Sequence, residues 1–316
     1  MKFHLGLGKF YTKLDKEHRN VMRMSVEAGF GIHYCLDYPG SSKFFKSMTS
    51  KQERAEIETI TRVPCFDTEI LKSEVDLTLK SLDIDQIGTL QLWGGVEIMD
   101  CYNTNSNLYE TLMSLKENGK INSFVPQVYY DQSSLLLEKS INTASIAFYG
   151  SPLGIHLSKE LISKNILTDS IAMSIFGGID LGNNPVLLTE EEKNFWYNLT
   201  SKYSWTDISL LTLESFGFIQ RVVGATGSTK HMSEIINYFN NTTFTDFDIN
   251  SEMLKKIAIQ SCSKNHMAPS DAKERWINNH DRLRSTEVFV KSLAYHYIKK
   301  NKTIQNSIDT LFNRRK

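Results

Sequence analysis

Residues 56–93, EIETITRVPCFDTEILKSEVDLTLKSLDIDQIGTLQLW, contain one complete strand, helix, strand unit. The alternating, β-branched segment 57–63 predicts a strand, and Pro64 with Asp67 predicts its end and the N-cap of a helix. The apolar residues of that helix lie three to five positions apart, and a second apolar run follows at 87–93. Two strands joined by a helix run parallel, and a parallel sheet needs both faces covered. The unit therefore predicts an α/β protein.

The same alternation of strand and helix continues on both sides of this unit. Further strands are predicted at residues 5–10, 31–36, 121–130, 144–149, 170–175 and 220–224. Helical material follows each of the eight strands. Eight such units favour a (β/α)8 TIM barrel over a doubly wound open sheet.

After Asn241 the pattern changes to polar loop and amphipathic helices without a further strand. We therefore predict a barrel over residues 1–241 and a C-terminal helical extension over 242–316, with a last helix at about 286–300. Packing of the extension against the barrel is the simpler interpretation. A lid over the mouth of the barrel is the alternative.

The composition excludes several classes of protein. Lys plus Arg and Asp plus Glu number 36 each, and a net charge of zero argues against binding to nucleic acid or to a membrane surface. The sequence shows no apolar segment of signal or membrane-spanning length, so we expect a cytoplasmic protein that acts on a small molecule. Cys35, Cys65, Cys101 and Cys262 lie far apart, which indicates reduced thiols and no metal site. The oligomeric state is not predicted.

The best ligand signal is the segment 222–229, VVGATGST, where a strand leads into a Gly-rich turn and a helix. Such a turn directs backbone N–H groups outward and is typical of phosphate sites. A second Gly-rich turn at Gly177 and Gly178 follows another late strand. We predict that a phosphate-bearing ligand binds between the two turns, although a merely tight turn is the alternative at each.

Several motifs resemble those of the aldo-keto reductases. ITRV at 60–63 and SLDIDQIGTLQLW at 81–93 are similar to the family's I-x-T-K-V and S-L-x-x-L-x-x-D-Y-I-D-L-x-x-x-H. LKENGKI at 115–121, IAMSIFGGIDLG at 171–182 and the segment 222–234 resemble later motifs of the family. Residues 28–42 resemble A-G-F-R-x-x-D-T-A-x-x-Y-G-x-S. The motifs occur in the family's order over residues 3–240, and the resemblance implies its barrel.

The resemblance also implies a catalytic tetrad of Asp, Tyr, Lys and His, in which Tyr protonates the carbonyl oxygen. The ungapped alignment places Tyr34, Pro39, Arg62 and Trp93 at these positions, so the tetrad is not retained. A shift of one residue would let Tyr38 act as the phenolic acid, with the charge of Arg62 lowering its pKa. The candidate catalytic residues are Tyr38, Arg62, Tyr34 and Trp93.

The cofactor that the resemblance implies is NADP or NAD. The aromatic residue that stacks on the nicotinamide falls at Met173, and the Arg that holds the 2′-phosphate falls at His231. Backbone donors, hydroxyls and one adjacent ammonium remain. The candidate cofactor-binding residues are Ser174, Gly177, Gly178, Gly224, Thr226, Gly227, Ser228, Thr229, Lys230 and His231.

Three functions stay open at this point. The first is an NAD(P)-linked oxidoreductase that acts on a small carbonyl or sugar substrate with altered acid chemistry. The second is a catalytically inactive barrel that serves as a nucleotide-binding, regulatory or partner-binding protein. The third is another barrel enzyme, such as a lyase or isomerase, with Tyr34, Tyr38, Arg62 and His33 around a phosphorylated or acidic substrate. Oxidation of NADPH would separate the first from the other two.

Overall fold

One curled sheet lies at the centre of the chain. The computed structural model describes residues 1–10, 16–38, 40–139, 141, 143–152, 154–177, 189–240 and 250–260. The strands are β1 (Lys2–Gly6), β2 (Gly31–Cys35), β3 (Thr59–Pro64), β4 (Ile87–Trp93), β5 (Ile121–Pro126), β6 (Ala147–Ser151), β7 (Gly154–Ile155), β8 (Ser170–Met173) and β9 (Ile219–Gly224). Their order in the sheet is β5-β4-β3-β2-β1-β9-β8-β6-β7. Every pairing is parallel except that of the short β7 with β6.

The two ends of the parallel sheet meet. Gln127, just after β5, forms a parallel bridge with Ala147 of β6, and the N–H of Val128 donates to the carbonyl of Ala147 at 2.8 Å. The sheet is thus of the curled parallel type that a barrel requires. All eight predicted strands overlap observed ones, which confirms the prediction of an α/β fold with a barrel-like sheet. Two predicted ranges are wrong in part, because residues 7–9 form a 3-10 helix and the strand predicted at 121–130 ends at Pro126.

Helices separate successive strands and cover the outside of the sheet. They are α1 (Lys16–Glu27), α2 (Ser41–Met48), α3 (Lys51–Glu56), α4 (Thr68–Leu82), α5 (Asn107–Glu117), α6 (Ser133–Glu138), α7 (Lys159–Ser163), α8 (Glu190–Lys202), α9 (Trp205–Glu214), α10 (Thr229–Asn240) and α11 (Ser251–Gln260). Short 3-10 helices occur at Leu7–Lys9 and Val96–Tyr102. Within the described ranges, no helix combines the length and apolarity needed to span a membrane.

The unit at 56–93 folds as its sequence indicates. The Asp67 carboxylate accepts hydrogen bonds from the N–H groups of Glu69 and Ile70, at 2.8 and 3.1 Å, and so caps α4. The helix ends at Asp83, which is in the left-handed region with φ 56°. Leu71 and Val75 on its inner face are fully buried. Burial of each such side chain contributes roughly 1.5–3 kcal/mol, which fixes α4 against β3.

Strand residues alternate between two cores. Residues that face outward, such as Leu90 and Val222, pack under the helices, whereas a smaller apolar group fills the barrel interior. That interior group consists of Ile60, Val125, Ala147, Ile171, Met173 and Val223, with Tyr149 packed on it. Polar side chains lie above and below this group, so the interior has a polar zone at each end.

The zone at the N-terminal end of the strands is a network that we call the floor network: Lys2, His4, Glu58, Asp169 and Arg221. Arg221 donates through Nη1 to the Thr89 hydroxyl and through Nη2 to the Asp169 carboxylate at 3.1 Å. His4 is fully buried, and burial lowers its pKa, so the imidazole is neutral. The neighbouring His4 and Lys2 lower the pKa of Glu58 to about 2. The network therefore remains charged at neutral pH.

Only one part of the predicted C-terminal extension lies within the described residues. Leu254, Ile257 and Ala258 of α11 are buried against α9 and β7, and the Lys256 ammonium lies 2.9 Å from the Glu192 carboxylate. The predicted helix at about 286–300 falls outside the described residues. Packing of the whole extension, or its use as a lid, stays a prediction.

Candidate functional site

The polar zone at the C-terminal ends of β2, β3 and β4 contains what we call the mouth cluster: Cys35, Asp37, Tyr38, Arg62 and Trp93. Arg62 donates through Nη2 to the Asp37 carboxylate at 2.9 Å and to the Cys35 sulfur at 3.3 Å. Its guanidinium carbon lies 5.7 Å from the centre of the Trp93 ring. Catalytic residues of barrel enzymes lie at this end of the strands.

The Arg62 guanidinium stays protonated, and therefore positively charged, in this environment. Burial lowers its pKa, but the neighbouring Cys35, Tyr149, Tyr38 and Asp37 raise the pKa well above its usual value. The side chain is 21% exposed, and that of Asp37 is 37% exposed. The cluster therefore presents a permanent guanidinium, held on one edge by a carboxylate, at a position that solvent reaches.

Tyr38 lies within electrostatic range of this guanidinium and packs over Gly8. A Cβ atom on Gly8 would lie 3.0 Å from a carbon of the phenol ring, so the glycine leaves room for the ring. Burial raises the pKa of Tyr38 to about 12, while the charge of Arg62 acts in the opposite direction. Burial likewise raises the pKa of Cys35 to about 11. At neutral pH both groups hold their protons, so Tyr38 is a potential proton donor.

A chain of buried amides crosses the barrel interior below the mouth cluster. His33 Nε2 lies 2.9 Å from Gln91 Oε1, and Gln91 Nε2 donates to Gln127 Oε1 at 2.6 Å. Gln127 Nε2 donates to the Tyr129 hydroxyl at 2.6 Å, and Trp93 Nε1 donates to the same oxygen at 3.0 Å. Burial lowers the pKa of His33 to about 4, so the imidazole is neutral and donates through Nε2. The chain fixes the orientation of the Trp93 ring under Arg62.

The structure brings Tyr38, Arg62 and Trp93 together, and it does not bring Tyr34 to them. The Tyr34 side chain faces outward into the helical layer, near Ser42 and Ser81. Burial there raises the pKa of Tyr34 to about 12. Side chains alternate along β2, so Tyr34 lies on the face opposite to His33 and Cys35.

Two backbone N–H groups of the Gly-rich turn at 224–229 donate hydrogen bonds to side chains of the protein itself. The N–H of Ser228 donates to Thr226 Oγ1 at 3.1 Å, and the N–H of Thr229 donates to Glu17 Oε1 of α1 at 3.3 Å. A Cβ on Gly227 would lie 2.7 Å from Nε2 of His18, so α1 covers the turn. These two N–H groups therefore already have acceptors within the chain.

The other predicted phosphate residues are also engaged in packing or local hydrogen bonds. A Cβ on Gly224 would lie 2.5 Å from the ring of Phe176, so this glycine is required by an aromatic contact. The N–H of Gly177 donates to the carbonyl of Ser174 at 2.9 Å, and both residues have positive φ, 80° and 56°. Gly178 lies outside the described residues.

Solved structures supply the comparison that decides the fold. A holo-form aldo-keto reductase from Bacillus halodurans superposes with a TM-score of 0.59 and 16% identity over 84% of this chain and 94% of its own. The aldose reductase from Schistosoma japonicum superposes with a TM-score of 0.57 and 15% identity, over 87% of this chain and 93% of its own. An aldo-keto reductase from a Medee basin deep-sea metagenome superposes with a TM-score of 0.56 and 16% identity, over 85% of this chain and 94% of its own.

The fold is that of the aldo-keto reductases. This confirms the fold that the sequence motifs imply. Sequence identities of 15–16% support a shared fold but not a shared function. No protein-family model matches the chain, and no curated protein sequence matches it either. The site must therefore be judged from its own residues.

The aldo-keto reductase fold implies a nicotinamide cofactor, and the described residues fit its phosphate through side chains only. A cleft of about 510 Å³ opens between α1 and α10 and is lined by Asn20, Arg23, Met24, Thr229, Lys230 and Ser233. Arg23 already donates through Nη1 to the Glu53 carboxylate at 2.7 Å, so Lys230 and the hydroxyls of Thr229 and Ser233 are the groups that best suit a phosphate. Thr229 and Lys230 thus face a ligand-sized space, whereas the backbone of the turn does not. His231, the next residue, is exposed.

Sequence reasoning assigned no role to Asp37, Gln91, Gln127, Tyr129 or Tyr149. The signal that could have found the two glutamines is strand alternation. In β4, Thr89, Gln91 and Trp93 share one face, and Gln127 follows β5 in phase with Val125. No local pattern indicates Asp37, because its carboxylate reaches Arg62 only through the turn after β2. That contact is a result of the tertiary fold.

Proposed function

We propose that the chain is an aldo-keto-reductase-like oxidoreductase that acts on a small carbonyl or sugar substrate, with Tyr38 as the proton donor. One observation carries this proposal. Tyr38 directly follows Asp37 of the Arg62–Asp37 ion pair and lies within electrostatic range of Arg62, at the C-terminal ends of β2 and β3, where a barrel enzyme holds its catalytic groups. Other described proton donors within range of the Arg62 charge are Cys35, Tyr129 and Tyr149. Cys35 is buried against Arg62, and the Tyr129 hydroxyl accepts hydrogen bonds from Trp93 and Gln127.

The roles follow from the chemistry of each side chain. Tyr38 donates its O–H proton to the substrate oxygen as negative charge develops there, and a positioned general acid contributes a factor of roughly 100 to 10,000. Arg62 then stabilises the resulting phenolate by its charge, and Asp37 holds Arg62 in place. Because burial raises the pKa of Tyr38 to about 12, the phenol gives up its proton reluctantly, and we expect slow turnover.

We propose NADP or NAD as the cofactor. When bound, its nicotinamide supplies the hydride. Lys230, Arg23, Thr229 and Ser233 would hold a phosphate of the cofactor in the cleft between α1 and α10. The backbone N–H groups of Ser228 and Thr229 already donate to acceptors within the chain. We therefore expect modest affinity for the cofactor, with binding weaker by about 1.5–3 kcal/mol for each charge-assisted contact that is missing.

A second candidate function is a barrel without reductase activity that binds a ligand at its mouth. The observation that favours it is the covering of the Gly-rich turn by Glu17 and His18. It predicts that neither NADPH nor NADH binds at millimolar concentration.

The test is oxidation of NADPH with a panel of small aldehydes, together with calorimetric titration of NADPH and NADH. We expect slow oxidation that Tyr38→Phe abolishes while cofactor affinity stays within about twofold. Tyr197→Phe, at a side chain that is 76% exposed, serves as the control. Fast reduction that survives Tyr38→Phe would show that the acid lies elsewhere. Absence of any cofactor binding would support the second candidate.

A further inference from the structure

We infer that the mouth cluster recognises a carboxylate on its carbonyl substrate, through the Nε and Nη1 groups of Arg62. The inference rests on the proposed function for the reacting carbonyl, but the carboxylate contact depends on Arg62 alone. The substrate class would be a small 2-oxo acid or aldehyde acid.

The first argument is the hydrogen-bond inventory of Arg62. Its Nη2 group is occupied by Asp37 and Cys35. Among the described residues, no acceptor lies within hydrogen-bond distance of Nε or Nη1. A guanidinium has five donors in a fixed plane, so one edge of Arg62 keeps its N–H groups for another partner. The side chain is 21% exposed, and that partner can come from solution.

The second argument is that the guanidinium is held in place before any ligand arrives. Asp37 fixes one edge, and Trp93 lies against the face. Trp93 is itself held by the Tyr129 hydroxyl, which the Gln127 amide also contacts. A held guanidinium loses little side-chain entropy on binding, and its flat edge matches the two oxygens of a carboxylate.

The third argument is the size of the space. A depression of about 10 Å³ lies against Arg62 and Trp93, and the carboxyl-bearing residues Asp37 and Glu74 also line it. That is about the volume that one water molecule occupies, so the depression admits a single oxygen of a carboxylate and excludes the bulk of a phosphate. Tyr38 directly follows Asp37, the residue that Arg62 contacts, so the carbonyl and the carboxylate belong to the same small molecule.

The experiment measures binding of phenylglyoxylate and of its methyl ester to the full-length protein, by calorimetry and Trp fluorescence without cofactor. The two probes share the carbonyl and the ring and differ in charge. For the unchanged protein we expect the acid to bind about 10- to 100-fold more tightly than the ester. In Arg62→Met the two affinities should become equal. Lys72→Met removes an exposed cation on α4 and should keep the preference.

Equal binding of acid and ester by the unchanged protein, or no binding of either, would overturn the inference, and so would a preference that persists in a folded Arg62→Met. The comparison of the two probes on the unchanged protein does not depend on the variant, and near-UV circular dichroism reports whether the variant keeps its fold. A preference for the acid without any NADPH oxidation would leave this inference standing and count against the proposed function. NADPH-dependent reduction of both probes, with equal affinity for the acid and the ester, would support the proposed function and overturn this inference.

Discussion

The barrel interior contains an arginine paired with an aspartate at each end, and the two pairs differ in how completely they are enclosed. At the floor, Arg221 uses Nη1 for Thr89 and Nη2 for Asp169, and its side chain is 9% exposed. At the mouth, Arg62 uses only Nη2 and is 21% exposed. The Nε of Arg221 also has no acceptor in the described structure, but it is buried where no ligand reaches it. The same side chain therefore serves stability at one end and is available for recognition at the other.

The largest expected effect is at the floor. Arg221→Met should lower the free energy of unfolding by about 3 kcal/mol, because the guanidinium is only 9% exposed and the hydrogen bonds that it donates to Thr89 and Asp169 are lost. Arg62→Met should cost about 1 kcal/mol or less, because Asp37 is exposed enough for water to replace the guanidinium. Urea unfolding of both variants measures the difference. Equal losses would remove the distinction between the two ends.

The second prediction concerns pH. The pKa of His33 falls from its ordinary 6.5 to about 4 in the folded chain because of burial. Between these values the unfolded chain binds more protons than the folded one, so stability is full above about pH 6.5 and is lost as pH falls toward 4. At pH 5 the loss from His33 is about 2 kcal/mol.

His33→Gln keeps a donor to Gln91 and removes the titration, so urea unfolding at pH 7 and pH 5 should show a smaller loss than for the unchanged protein. His4 at the floor, whose pKa burial also lowers, would account for the remainder. If the variant loses as much stability as the unchanged protein, the imidazole of His33 is not the group that titrates.

The third prediction tests the packing of the floor. A Cβ on Gly31 would lie 2.2 Å from the His4 ring and 2.7 Å from the carbonyl of Glu58. Gly31→Ala should therefore lower the free energy of unfolding by about 1.5 kcal/mol, as overpacking does. Gly154→Ala is the matched control in another strand, where the nearest atom is 3.4 Å away. A harmless Gly31→Ala would mean that the floor can rearrange.

The smallest expected effect is at the mouth. Trp93→Phe keeps an aromatic face under Arg62 but removes the indole N–H that the Tyr129 hydroxyl accepts. Loss of one hydrogen bond with part of a cation–π contact should cost about 1 kcal/mol or less in unfolding experiments. The preference for phenylglyoxylate over its ester should weaken by more than stability does. A variant with lower stability and an unchanged preference would show that Trp93 does not position Arg62.

Most of the fold was predictable from the sequence, because apolar periodicity and turn residues are local. The strand at Ile87–Trp93 coincides with its predicted bounds, and β2 ends one residue before its predicted end at residue 36. The pattern predicted helical material after β2 but gave no bounds for α2 and α3. The helix α3 is short and begins with a capping box, in which Ser50 and Glu53 satisfy each other's backbone N–H groups.

The site was less predictable, because its contacts join distant strands. The sequence proposed Tyr38, Arg62 and Trp93 as neighbours, and the structure brings these three together. It gave no signal that Asp37 would hold Arg62 or that Glu17 would cap the helix after the Gly-rich turn. Glu17 and Thr229 are 212 positions apart, and no local pattern reports such a pair. A Gly-rich turn has the same sequence whether a phosphate or the chain's own carboxylate lies above it.

The position of β1 between β2 and β9 has a consequence for how the chain folds. Lys2 pairs with Arg221 and Leu5 with Gly224, so the first strand of the chain joins the last in the middle of the sheet. Contacts between such remote segments form slowly, because the entropy of closing a long loop must be lost before they are gained. During synthesis, β1 leaves the ribosome long before β9 exists. Until then its edge is unpaired, and an incomplete chain is exposed to aggregation at that edge.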